Sequence, residues 1–323
     1  MFLSLFFTTK NLKNALLLAF FILAQTNNSV AQSHQQKWWA TLTAEWQDAL
    51  RNTIGRKGKI IDSDIDMMWK LKKLDFNVAE NPISTLEPIV KFTELNNLSL
   101  NNTLVADITP LKQMTKLRVL RLSGTPVQDF SAVANLINLE RVDLGFTAFS
   151  DTKLLANLPF LHALSLRQTS VRNIEPLATL KRLDTLVAST TFVEDFGALG
   201  KLKKLQYLDI SNTHLTETDS LAKLIYIKHL CIHKNSIHHI RGLENLSQLE
   251  YLNISSTLVD DLAPLAQLQY LRDIYMSDTP VKSLKALKEL HKIKKLECGT
   301  TYISLPDIDM FKKRLPDCKV IRE

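Results

Sequence analysis

Glycine is scarce in this chain, with 8 in 323 residues, and none lies in a run that could cradle a phosphate. Neither a G-x-S-x-G nucleophile elbow nor an H-E-x-x-H metal helix occurs. Cysteine numbers only three, an odd count that cannot make a complete disulfide framework. Apart from one stretch near the N-terminus there is no long apolar run, and no low-complexity tract. The net charge of +7 is modest and dispersed, with small groups at Lys201/Lys203/Lys204, Lys292/Lys294/Lys295 and Lys312/Lys313/Arg314. Such groups read as solvated surface, so neither nucleic acid nor a membrane is an expected partner. These absences leave no enzyme signature, and no cofactor or metal is called for.

The first 31 residues have the layout of a secretory signal. Lys10 and Lys13 precede an apolar stretch from Ala15 to Ala24, and Ser29-Val30-Ala31 supplies small residues for cleavage before Gln32. Ten apolar residues are too few to cross a bilayer as a helix. No cysteine stands at the cleavage site to take a lipid, so the mature chain is expected to be secreted or periplasmic. Removal of the segment leaves a charge of +5, because it holds two lysines and no acid.

A polar residue recurs every 22 positions, at Thr103, Thr125, Thr147, Thr169, Thr191, Thr213, Asn235, Thr257, Thr279 and Thr301. The apolar residues around it keep the same register, as in Leu117, Leu120, Leu122 and Val127 around Thr125. A fixed period of this length belongs to a solenoid, in which each unit buries its apolar face against its neighbours. Alternation over Leu117–Leu122 predicts a short strand, and threefold spacing through Val105, Ile108, Leu111 and Met114 predicts a 3-10 or single α-turn. Pro88, Pro110, Pro176 and Pro264 fall at the start of that turn, where a missing N–H costs nothing.

The phrases DITPL from Asp107, NIEPL from Asn173 and DLAPL from Asp261 resemble the 22-residue leucine-rich repeats of bacterial internalins. The resemblance covers roughly three quarters of the chain. It implies an α/β solenoid, a horseshoe with a parallel concave sheet and short convex turns. The expected organisation is a signal at 1–31, a helical N-terminal cap at 32–70, about 11 repeats over 71–306 and a C-terminal cap at 307–323. The family places Asn where this chain has mostly Thr, so a threonine ladder is expected to take over that structural role. Internalins resemble adhesins with additional domains and a cell-wall anchor, and neither is expected in this chain.

Within the cap, Trp38, Trp39 and Trp46 lie on a helix predicted from Lys37 to Ile54 and ended by Gly55, with a second over Asp62–Trp69. They read as the closure of the first repeat in preference to a binding face. The first repeat carries a two-residue insertion near Asn81. At the far end the period places Leu315, Cys318 and Val320 in the last strand, with Cys298 and Cys318 as diagonal neighbours whose bridging is left open.

The frame turns two groups of side chains onto the concave face, free of core duties. Arg121, Arg141 and Arg167 lie toward the N-terminal end, whereas Tyr207, Asp209, His229, His233, Tyr251, Asn253, Asp273 and Tyr275 lie toward the other. Tyrosine on a rigid scaffold offers large contact area at small entropic cost, so these are the expected contacts for a protein partner. A structural or adhesive envelope role on polysaccharide is the alternative. His229, Cys231 and His233 alternate on one strand, yet the two imidazoles would sit about 13 Å apart, too far for one ion to bridge. Asn235, which breaks the threonine row, directly follows that strand.

Overall fold

The computed structural model describes residues 32–76 and 82–322. The secretory signal, its cleavage point and the insertion near Asn81 lie outside the described residues. The chain divides into two compact units, meeting at Met68 and Trp69.

The first unit is helical: α1 (His34–Thr41), α2 (Ala44–Ile54) and α3 (Asp62–Trp69, its last residue in the second unit). The single helix expected from Lys37 is therefore two. The break falls at Leu42–Thr43, because the Thr43 hydroxyl accepts the Trp46 N–H and starts a new helix there. Gly55 closes α2 in the left-handed region, φ 67°, as its position suggests. Trp38, Trp39 and Trp46 are all buried, so they present no exposed aromatic face.

The second unit is built on one sheet of twelve parallel strands in chain order. Its strands are β1 (Lys73–Asp75), β2 (Asn97–Ser99), β3 (Val119–Arg121), β4 (Arg141–Asp143), β5 (Ala163–Ser165) and β6 (Thr185–Val187). They continue as β7 (Tyr207–Asp209), β8 (His229–Cys231), β9 (Tyr251–Asn253), β10 (Asp273–Tyr275), β11 (Lys295–Glu297) and β12 (Lys319–Ile321). Each strand is three residues, half the length the alternation suggests. The backbone ladder nevertheless runs further, as Leu122 N–H donates to Asp143 O at 2.8 Å. From β2 to β11 the register equals the sequence period, with Val119 opposite Arg141 and Tyr207 opposite His229. This is a leucine-rich repeat solenoid.

The return paths are 3-10 turns of three to five residues. The acid or amide opening each DITPL-like phrase has a mechanical purpose. Asp107 accepts the Thr109 N–H, Asn173 that of Glu175 and Asp261 that of Ala263, each at 2.8 Å. One side-chain oxygen thus holds an amide that the turn cannot satisfy itself. Pro110, Pro176 and Pro264 follow in the first two positions.

The threonine row behaves differently from a ladder. Each hydroxyl donates to the carbonyl three residues back in its own repeat, Thr125 to Leu122 and Thr257 to Ile254, both at 2.6 Å. Asn235 alone in this row reaches across to a neighbouring carbonyl: its amide nitrogen donates to Ile210 O and Ile232 O, while its oxygen accepts from Thr213 N and stands 3.0 Å from Thr213 Oγ1, whose single proton it shares with Ile210 O.

The end of the sheet corrects one expectation. Leu296 pairs with Val320, not with Cys318, so the last step is 24 residues and not 22. Helix α4 (Leu305–Arg314) replaces the short 3-10 turn and consumes the extra residues. Cys318 therefore precedes β12, and all three cysteines are free thiols.

Candidate functional site

The outward residues of β7 to β11 form a continuous aromatic column. Tyr207 stacks on His229 with ring centroids 4.3 Å apart and planes 15° from parallel. His229 stacks on Tyr251 at 3.8 Å and 7°. These three occupy the first position of consecutive paired strands, so the register itself sets them face to face. The column then steps diagonally to Tyr275, 5.0 Å from Tyr251 and tilted 37°. Lys295 ends it, its ammonium 4.3 Å from the Tyr275 ring and 3.0 Å from the phenol oxygen, with Glu297 3.4 Å away.

Packing changes the chemistry of these groups. Burial holds the His229 imidazole below its usual pKa, against the pull of Asp209 and Asp273. His233 is lowered for the same first reason, and its buried Nδ1 has no hydrogen-bond partner among the described residues. Burial raises the Tyr207 and Tyr251 phenols. Cys231, beneath the column and 3.8 Å from His229 Nδ1, has its thiol pushed up to about 12, first by burial and then by Asp209. Such a thiol stays protonated at neutral pH, which makes it a poor nucleophile. Among the described residues no group of three or more His, Cys, Asp or Glu is arranged to hold a metal ion.

Not every expected contact residue is free of structural work, and Asp143 beside the arginines shares that work. Asp209 accepts from Ser211 N and Oγ, Asn253 from Ser255 N, and Asp143 from Gly145 N, holding the bend after each strand. Asn253 also hydrogen-bonds the Tyr251 phenol. Asp273 opens β10 in the row of the column.

Arg121 and Arg141 lie apart from the column, whereas the charge of Arg167 reaches Tyr207 and His233. Arg121 donates to Asn97 Oδ1 at 3.3 Å, and Arg141 is exposed beside it on β4. Arg167 lies beyond the end of β5, its guanidinium 5.7 Å from the Phe146 ring. Between arginines and column, the small side chains Ala163, Ser165, Thr185 and Val187 leave a depression of about 170 Å³ on the sheet. The outward face thus reads, along the stack, as cation, shallow trough and aromatic ridge.

A second recess escaped the concave-face reading. An elongated groove of about 880 Å³ follows the edge where the strands begin, with Phe160, Arg182, Lys204, Tyr226 and Lys228 in its wall. Its residues stand one and three positions before the strands. The 22-residue frame aligns them as a row of charged and aromatic side chains, but the longer strands expected from alternation put half of that row inside the sheet.

No protein-family model and no curated protein matches the sequence. Solved structures do match in shape. An internalin from Listeria monocytogenes superimposes with a TM-score of 0.77 at 21% identity, covering 86% of this chain and 88% of that one. A leucine-rich repeat protein of Leptospira interrogans gives 0.66 at 21% identity, covering 80% and 74%. The leucine-rich repeat ectodomain of a plant membrane receptor kinase from Arabidopsis thaliana, in complex with Casparian strip integrity factor 2, gives 0.60 at 18%, covering 77% and 38%. The chain is thus similar to internalins and shares their fold.

Proposed function

We propose that the protein is a recognition module, secreted or periplasmic, which binds a protein partner on the concave face of its repeats. The observation that carries this reading is the column Tyr207–His229–Tyr251–Tyr275. Aromatic side chains already locked by mutual stacking lose little entropy when a partner docks, and aromatic anchors dominate binding energy in protein interfaces. The trough supplies a seat for a small apolar side chain, and the arginines supply orientation through charge. The complex of the similar Arabidopsis ectodomain supports the use of this fold for recognition.

A polysaccharide target fits less well. Sugars pack on open aromatic faces, whereas His229 is covered on both sides. Binding in place of catalysis accords with a Cys231 thiol kept protonated by burial and with His229 enclosed between two tyrosine rings. Location outside the cytoplasm rests on the leader motif, and among the described residues no helix is long and apolar enough to cross a membrane.

The test is affinity capture from envelope and host-cell extracts with the chain from Gln32, compared with Arg121→Glu/Arg141→Glu and with Tyr207→Ala/Tyr275→Ala. A protein held by the wild type and lost from both variants supports the reading. Equal capture by all three removes the concave face as the site. Mass spectrometry of exported protein, showing whether the chain begins at Gln32, tests the leader.

A further inference from the structure

We propose that the groove along the strand-entry edge is a second binding site, separate from the concave face, for an extended acidic polypeptide segment. The groove runs from Glu140, just before β4, to Gln248, just before β9. Five strand steps of about 4.8 Å give it a length of roughly 24 Å, enough for about seven residues of extended chain at ~3.3 Å each.

Charge selects the occupant. The wall holds two carboxylates, Glu140 and Asp184, and both are engaged: Glu140 lies 3.2 Å from Arg118, and Asp184 accepts from Thr185 Oγ1 and faces His162 Nδ1 at 3.4 Å. Three cations, Arg182, Lys204 and Lys228, share the wall and have no carboxylate partner within ion-pair distance among the described residues. They come from three consecutive repeats. Carboxylates on alternate residues of an extended chain project from one face ~6.6 Å apart, a spacing that flexible lysines on neighbouring repeats can follow.

The aromatic residues argue for a polypeptide over a nucleic acid or a glycan. The Arg182 guanidinium lies 4.9 Å over the Phe160 ring and so covers a face that a base or sugar would need for stacking. What remains is exposed apolar ring, including Tyr226 at 56% exposure, against which the intervening side chains of a peptide can pack.

The experiment is fluorescence anisotropy of the chain from Gln32 with a labelled decapeptide of alternating Glu and Leu. Competitors are the Gln-for-Glu peptide, a sulfated oligosaccharide and a single-stranded oligonucleotide. The acidic peptide should bind, weaken as salt rises, and lose at least tenfold in affinity with Lys204→Glu/Lys228→Glu. Tyr207→Ala/Tyr275→Ala on the concave face should leave it unchanged, which separates this site from the one proposed above. The exposed lysine variants should keep the wild-type thermal midpoint. No binding by the wild type, equal binding of the Gln peptide, retention by the lysine variant, or tighter binding of either competitor overturns the proposal.

Discussion

His229 lies between Tyr207 and Tyr251, and its closer contact is with Tyr251, the two rings 3.8 Å apart and nearly parallel. Tyr251 in turn touches Tyr275, so one side chain joins both halves of the column. Each aromatic pair contributes about 0.5–1.5 kcal/mol beyond its buried area. Tyr251→Ala should therefore lower unfolding stability by about 1–3 kcal/mol, read by urea titration, and Tyr251→Phe by less than half of that. A stable Tyr251→Ala would show that the stack is merely adjacent rings without cohesion.

Protonation should loosen the same region. Burial depresses the pKa of His229 and of His233 in the folded state. The unfolded chain then binds more protons than the folded chain below the ordinary histidine value, so stability increases with pH there. The contribution is whole above about pH 6.5 and is lost as pH falls through the lowered folded values. Thermal midpoints measured from pH 7.5 to 5 should decline, and His229→Phe, which keeps a ring in the stack, should flatten the decline. An identical pH slope in the variant rules out His229 as its source.

Much of this architecture is legible in the sequence because a solenoid makes register and period the same quantity. Leu98, Leu120 and Val142 are core residues by spacing alone, and they pair as the spacing requires. Legibility fails where a local element changes size. Helix α4 shifted the register of the last strand by two residues, so that Cys318 falls just before it, and Thr43 split a helix whose apolar spacing runs through it unbroken. The column is half legible: alternation puts Tyr207, His229 and Tyr251 on one face, but whether their rings stack or splay depends on rotamers that no spacing encodes. The edge groove is legible only once the strands are known to be three residues long, because residues such as Asp184 and Lys228 then fall outside the sheet.

The three thiols should behave as core atoms. Cys231 and Cys318 are pushed up to about 12 and about 11, each first by burial, and Cys298 is raised for the same reason. The thiolate is the reactive form, so at pH 8 hardly any is present in the folded chain. Native protein treated with iodoacetamide at pH 8 should remain unlabelled over a period in which the guanidinium-unfolded chain takes up three adducts. Uptake of only one adduct after unfolding, without reductant, would reveal a bridge and contradict the free state of Cys298 and Cys318.

Asn235 fastens the repeats that carry the first two rings of the column. Its amide donates to Ile210 O at 2.9 Å in the repeat of Tyr207 and to Ile232 O at 3.0 Å in the repeat of His229. Its oxygen accepts the Thr213 N–H at 3.0 Å. A threonine here could reproduce only the bond to Ile232 O, as Thr257 does with Ile254 O. Asn235→Thr should then leave the Thr213 amide short of its partner, while Ile210 O keeps the Thr213 hydroxyl, and cost about 1–2 kcal/mol, with Asn235→Ala costing about 2–4 kcal/mol. Because repeats couple mainly to their neighbours, the loss should be local. Hydrogen exchange should quicken at the Ile210 and Asn212 amides, which bond across to β8 and its exit, and stay unchanged near β3. Uniform quickening along the whole sheet would mean that Asn235 sets global stability and has no special tie to the column.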